Sequence, residues 1–165
     1  MNSTVKVCFV CLGNICRSPL AQGVFEALVK EEGLQDRIII SSAGVSGWHV
    51  GNPPDARMQQ TARDHGIHLN SLARQFQSSD FEQMDLVLAM DHSNLSALKQ
   101  MSAEPELQDK LFLFRSFDPQ HNNDLEVPDP YYGGGKGFET VYQIVDRTCP
   151  KVLDHLKAQL AKKNE

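Results

Sequence analysis

Long hydrophobic runs are missing from this 165-residue sequence. No apolar stretch approaches the ~20 residues of a membrane-spanning helix. The N-terminal M-N-S-T-V-K-V has neither the basic region nor the apolar core of a secretory signal. Positive charge is also scarce. Lys and Arg number 16 against 21 Asp and Glu, a net charge of -5. That balance excludes a general positive field for nucleic-acid backbones, while leaving room for one local anion site. Repeats, low-complexity tracts and dividing linkers are absent as well, so a single domain over 1–165 is expected. Cysteine is sparse: Cys8, Cys11, Cys16 and, far along the chain, Cys149. Without a secretory signal, these four are expected to be thiols, not structural disulfides. The expected location is the cytoplasm.

What remains is ordinary globular composition, 41% hydrophobic and 22% charged, in an alternating pattern of elements. Thr4 to Val10 is apolar and β-rich. Ser18 to Glu32 carries Leu20, Val24 and Leu28 at helical spacing and stops before Gly33. Ile38 to Ser42 reads as a second strand and Pro54 to His65 as a second helix, with Gly66 after its end. Asp85 to Met90 and Leu111 to Phe114 read as strands, separated by a helix over Ser93 to Met101. An irregular segment, Ser116 to Lys136, leads into a last helix marked by Val141, Val145, Val152, Leu156 and Leu160. Pro150 is expected to kink or interrupt it. The order predicts an α/β fold, a three-layer αβα sandwich on a four-stranded parallel sheet. Ligands of such sheets bind beyond the C-terminal strand ends.

The junction after the first strand, V-C-L-G-N-I-C-R-S-P at 10–19, is unusual. A turn needs neither two thiols nor an arginine. Backbone N–H groups of Leu12, Gly13, Asn14, Ile15 and Cys16 can turn inward, and the next helix adds free N–H donors and its positive dipole end. Gly13 and Asn14 tolerate positive φ. Arg17 brings a planar fork that matches two phosphate oxygens. Cys11, at the floor of such a cradle, is a nucleophile aimed at phosphorus, because the dipole, the amides and Arg17 all favour its thiolate. Ser18 could donate a hydrogen bond to the sulfur.

Other readings of these cysteines are weaker. Cys8-x-x-Cys11 looks like a redox or metal pair, but an odd separation along a strand puts the two side chains on opposite faces. Zinc or iron–sulfur ligation lacks a nearby fourth ligand. Cys8 and Cys149 are most simply core thiols.

Cleavage of a phosphate ester also needs an acid and then a base, and one carboxyl can serve as both. Asp129, in V-P-D-P-Y-Y, is the candidate; P-D-P is also good turn chemistry, so its claim depends on the Cys11 loop. Tyr131, Tyr132 and Trp48 could flank an aromatic group. His65 and His68 lack a third ligand, and G-G-G-K-G from Gly133 fails the phosphate-loop pattern of nucleotide-binding proteins.

Together, C-L-G-N-I-C-R-S-P and D-P-Y-Y resemble the low-molecular-weight protein tyrosine phosphatases, as do S-S-A-G at 41–44, W-H-V-G-N-P-P-D-A-R at 48–57, L-A-M-D-H-S-N at 88–94 and F-E-T-V-Y at 138–142. The resemblance implies hydrolysis of phosphotyrosine in protein substrates through a phosphocysteine on Cys11. Arg17 and the loop amides would hold the phosphoryl oxygens, and Asp129 would be the acid and base. Asn14, Ser18, Ser42 and His65 would support the loop, with Trp48, Tyr131 and Tyr132 lining an aromatic slot. No metal or cofactor is implied. Cys16 matches the family's second loop cysteine, a redox partner for Cys11. A monomer or weak homodimer is expected.

Two rivals share features of this pattern. A thiol-linked arsenate reductase would need further cysteines to relay oxidation, and none lies between Cys16 and Cys149. A non-catalytic phosphopeptide-binding module would need neither Cys11 nor Asp129.

Overall fold

The computed structural model describes residues 3–102 and 104–164. The outermost positions of the expected domain, 1–2 and 165, lie outside the described residues. Four strands, β1 (Val5–Cys11), β2 (Ile38–Gly44), β3 (Leu86–Ala89) and β4 (Leu111–Leu113), form one sheet. Its order is β2-β1-β3-β4, and every pairing is parallel. The helices are α1 (Arg17–Glu31), α2 (Ala56–Asp64), α3 (Asp80–Gln83), α4 (His92–Met101), α5 (Pro105–Gln108) and α6 (Gly135–Lys163). A 3-10 turn, Phe114–Phe117, follows β4.

Two-residue periodicity sorts the strands between two cores. Val5, Val7, Phe9 and Cys11 point to the side covered by α1 and α6, joined by Leu86, Leu88 and Met90. Cys8, Val10, Val87 and Ala89 point the other way, toward Phe76, Phe81 and Leu98. Cys8 and Cys11 therefore sit on opposite faces, as the odd spacing demands. The first core is keyed by Phe9, whose ring meets Phe25 and Phe114 edge-on at 5.6 and 5.8 Å.

The expected elements recur within a residue or two, with β2 longer and two short helices, α3 and α5, not foreseen. Pro150 does not interrupt the last helix. α6 runs unbroken for 29 residues, with eleven of them buried, including Cys149 and Val152 on either side of the proline. A helix-interior proline costs about 3 kcal/mol. Each fully buried large apolar side chain returns about 1.5–3 kcal/mol, so the buried stripe outweighs the lost bond.

Strand order sets the position of the site. β1 has β2 on one side and β3 on the other, so the chain leaves β1 and β3 in opposite directions around the sheet. The C-terminal ends of these two strands open a crevice at that switch point.

Candidate active site

Cys11 is the last residue of β1, and the loop from Leu12 to Cys16 turns directly into α1. Asn14 holds the turn with φ of 59°. Asparagine is one of the few side chains that tolerates this left-handed conformation. The loop rests on the end of β2. Gly44 has no room for a side chain, because a Cβ there would lie 2.9 Å from the Leu12 carbonyl oxygen and 3.1 Å from the Asn14 nitrogen. The Leu12 carbonyl accepts from the Ser46 amide and the Cys11 carbonyl from the Val45 amide, each at 3.0 Å. Among the described residues, no backbone bond from the amides of 12–18 to a protein carbonyl is made. These free donors lie at the positive end of α1, an arrangement suited to an anion.

Beneath the loop lies a closed set of polar bonds. The Asn14 amide nitrogen donates to Ser18 Oγ (2.7 Å) and Ser42 Oγ (3.0 Å). The Ser42 hydroxyl donates to Gln22 Oε1 at 2.6 Å. Asn14 Oδ1 accepts from the Arg74 backbone amide at 3.0 Å. Ser18 Oγ, which accepts from Asn14, lies 3.0 Å from the Cys11 sulfur and 3.4 Å from the Ala43 carbonyl, so it donates to the sulfur when Cys11 is a thiolate and can turn to the carbonyl otherwise. Of the four proposed supporting residues, Asn14, Ser18 and Ser42 meet here and His65 does not. His65 caps α2, pairs with Glu139 at 2.8 Å and stacks on Tyr142 at 3.7 Å. The set is completed instead by the Gln22 side chain and by the Arg74 backbone, carried by a segment that runs beside Gly44.

Arg17 is almost fully buried and reaches across the crevice. Its Nη1 donates to Asp91 Oδ2 at 2.6 Å and to the Val127 carbonyl at 3.0 Å. Asp129 Oδ2 stands 3.6 Å from Nη2. The Nε–Nη2 edge, which matches two phosphate oxygens, makes no short protein hydrogen bond among the described residues. Burial opposes the Arg17 charge, but Cys11, Asp91 and Asp129 outweigh it and hold the guanidinium above its ordinary pKa. Cys16 is pushed far the other way from a reactive thiol. Burial first, then the charges of Asp55, Cys11 and Asp129, raise its pKa well above the usual range.

Above the loop opens a cleft lined by Cys11, Leu12, Gly13, Ile15, Cys16, Arg17, Trp48, His49, Asp129, Tyr131 and Tyr132. The two tyrosine rings meet at right angles, 5.0 Å apart. Arg57 lies over Tyr131 and is held there by a paired Asp55. Trp48 and Tyr132 are largely exposed, at 77% and 91%. They form the rim of the slot, while Cys11 and Arg17 form its floor.

The chain matches the family model described as "Low molecular weight phosphotyrosine protein phosphatase" over residues 6–164. It belongs to this family. A low molecular weight protein-tyrosine-phosphatase of Streptomyces coelicolor is 44% identical over 158 residues, covering 95% of this chain and 96% of its own. The low molecular weight phosphotyrosine protein phosphatase of Mus musculus is 47% identical over 150 residues, covering 90% and 94%. Among solved structures, a protein tyrosine phosphatase from Entamoeba histolytica superposes with a TM-score of 0.90 at 36% identity, covering 94% of this chain and 99% of that one. The phosphatase is thus a hydrolase of phosphotyrosine, on the αβα fold its sequence pattern predicts.

Sequence reasoning missed several residues that the phosphatase places at the site. Asp91 carried a signal, since it ends the third apolar strand and caps the next helix by accepting from the Asn94 amide. His49 follows Trp48 directly. Arg74 and Gln22 carried none, because their contacts are set by tertiary packing.

Proposed function

We propose that this phosphatase cleaves phosphotyrosine in proteins by two displacements at phosphorus on Cys11. The observation that carries the reading is the convergence of Cys11, Arg17 and Asp129 on one cleft floored by free loop amides. In the first step the Cys11 thiolate attacks phosphorus and the S–P bond forms. Asp129 gives its proton to the departing tyrosine oxygen. The loop amides and the Nε–Nη2 edge of Arg17 spread the charge of the equatorial oxygens. In the second step Asp129, now a carboxylate, takes a proton from water as it attacks phosphorus and expels the thiolate. The Ser18 hydroxyl steadies the thiolate in both steps.

Trp48, Tyr131 and Tyr132 receive the substrate ring. The relatives' names support phosphoprotein substrates. Four unbridged thiols support a reducing, cytoplasmic setting for a single domain acting as a monomer or weak homodimer. No described helix is long and apolar enough to cross a membrane. Peroxide would convert Cys11 to a sulfenic acid, and the Cys16 thiol would then displace water to form a Cys11–Cys16 disulfide. Mass spectrometry after mild peroxide should find that bridge; sulfinic Cys11 alone would defeat it.

The deciding experiment is hydrolysis of p-nitrophenyl phosphate and of phenyl phosphate, whose leaving group is poorer, in EDTA by wild type, Cys11→Ser and Asp129→Asn. Activity should survive chelation, vanish in Cys11→Ser and fall by roughly 10²–10⁴ in the first step for Asp129→Asn with a poor leaving group. The rate profile should be bell-shaped, requiring thiolate and protonated acid together. An active Cys11→Ser would remove the proposed nucleophile, and arsenate reduction would be tested next.

A further inference from the structure

Asp129 sits on an irregular segment, and something must hold that segment over Cys11. Its front is tied to the floor of the site. Val127 donates to the Met90 carbonyl at 2.8 Å and accepts from Arg17 at 3.0 Å. Its back, before Asp129, borders open space. An open cleft separates 124–128 from α6, lined by Arg115, Asp124, Glu126, Pro128 and Arg147 among others. Apolar contact holds the segment at Val127 in the core and at Pro130, which is buried against Gly137 of α6, but leaves the 124–126 stretch facing the open cleft.

One side chain crosses that gap. Arg115 leaves the 3-10 turn after β4, is about nine-tenths buried, and donates from Nη1 to the Glu126 carbonyl at 2.8 Å. The same nitrogen lies 3.2 Å from Asp124 Oδ2. Arg115 is itself aimed by Asp118, whose side chain is fully buried. Asp118 Oδ2 accepts from Arg115 Nε at 2.9 Å and from Arg147 Nη2 at 3.0 Å. Its Oδ1 accepts from Arg147 Nε at 2.9 Å and the Gln120 amide at 2.8 Å. Four donors saturate this carboxylate and leave Arg115 one orientation, toward the backbone three residues before Asp129.

We propose that Arg115 is a positioning residue for the general acid, fixing the back of the Asp129 segment as Arg17 fixes its front. The inference rests on Asp129 being the acid. An acid displaced by a fraction of an ångström loses proton transfer most where the leaving group most needs it. Losing Arg115 should thus penalise a basic phenolate far more than p-nitrophenolate, and should leave phosphate binding on the Cys11 loop alone.

The test measures kcat/KM for phenyl phosphate and p-nitrophenyl phosphate, with competitive inhibition by inorganic phosphate, in Arg115→Ala, Arg115→Lys, Asp129→Asn and the double variant Arg115→Ala/Asp129→Asn. Arg115→Ala should lose about 5- to 50-fold on phenyl phosphate, below the roughly 10²–10⁴ assigned to a general acid. Its loss on p-nitrophenyl phosphate should be several-fold smaller. Inhibition by phosphate should stay within about twofold, since only the acid is displaced. Arg115→Lys keeps the charge beside Asp118 and so the fold, but cannot bond both partners; it should show the same signature at intermediate size. In the Asp129→Asn background the Arg115→Ala change should cost less than about twofold, because coupled residues are not additive. Equal losses on both substrates, full additivity, or a matching change in phosphate inhibition would overturn the proposal while leaving the acid assignment standing. If Asp129→Asn itself leaves the leaving-group dependence unchanged, the acid assignment fails and the role of Arg115 goes with it.

Discussion

Acid should undo the Asp118 cluster in a defined window. Burial alone would raise the Asp118 pKa, but hydrogen bonds from Arg147, the Gln120 amide and Arg115 prevail and bring it from 3.8 down to about 2. The folded carboxylate is therefore the weaker base. Between these two values the unfolded chain binds a proton that the folded chain refuses, so lowering the pH favours unfolding. The stabilisation is complete above about pH 4 and is lost as pH falls through about 2. At about 1.4 kcal/mol per pKa unit, the whole effect is about 2 kcal/mol, of which about 1 kcal/mol has gone by about pH 3.

The assay is urea unfolding of wild type and Asp118→Asn, followed by far-UV circular dichroism, at about pH 5 and about pH 3. Every other carboxylate titrates in both chains, so the difference between them isolates Asp118. At the higher pH the variant should be less stable by about 3 kcal/mol, the low end for removing one partner of a buried ion pair, because the partly exposed Arg147 can turn to water. At the lower pH the gap should narrow by about 1 kcal/mol. A gap that stays constant would show that Asp118 is not held ionised by its two arginines, and the account of what aims Arg115 would fail.

Three further outcomes follow from the geometry of the loop. Asn14→Ala removes three side-chain hydrogen bonds and places alanine at φ of 59°. At about 1 kcal/mol per bond and 1–2 kcal/mol for the backbone, it should destabilise by about 4 kcal/mol in urea unfolding; Asn14→Gly, which relieves only the backbone part, should recover about 1 kcal/mol of this, and equal losses would refute the strain argument. Gly44→Ala drives a methyl group into the Leu12–Asn14 backbone, so inhibition by inorganic phosphate should weaken at least about tenfold, the scale of a group misplaced at a site, while circular dichroism stays native; unchanged inhibition would mean the loop yields freely. His65→Ala should cost about 1 kcal/mol of stability through its stack on Tyr142 and leave kcat/KM within about twofold, whereas a tenfold fall would restore His65 to the loop network.

What the sequence revealed of this site follows the range of the forces involved. Cys11, Asn14, Arg17 and Ser18 were legible because one strand end, one tight loop and one helix start specify them locally. The opposite fates of Cys8 and Cys11 needed only the two-residue period of a strand. Asp129 was legible through its prolines and through the partner motif. His65 was misread because its true partners, Glu139 and Tyr142, come from α6, more than seventy residues away. Pro150 misled for a related reason: local propensity forbids it in a helix, and only the buried stripe of α6 explains why the helix continues. Arg115 and Arg74 have no local signature at all.

The parallel sheet accounts for how these distant pieces come together. The end of β1 supplies Cys11, the proposed nucleophile, and the loop, and the end of β2 supplies Ser42 and the bare Gly44 beneath it. Asp91 follows β3, and Arg115 follows β4. Each strand thus delivers its contribution at the same edge, beyond the C-terminal strand ends where ligands of such sheets bind. Arg17 makes this set act as a unit. Its Nη1 is committed to Asp91 and the Val127 carbonyl, so one guanidinium fixes both the segment that carries the proposed acid and the aim of the fork proposed to hold phosphate. A change at Asp91 should then disturb both binding and proton transfer, whereas a change at Arg115 should disturb proton transfer alone.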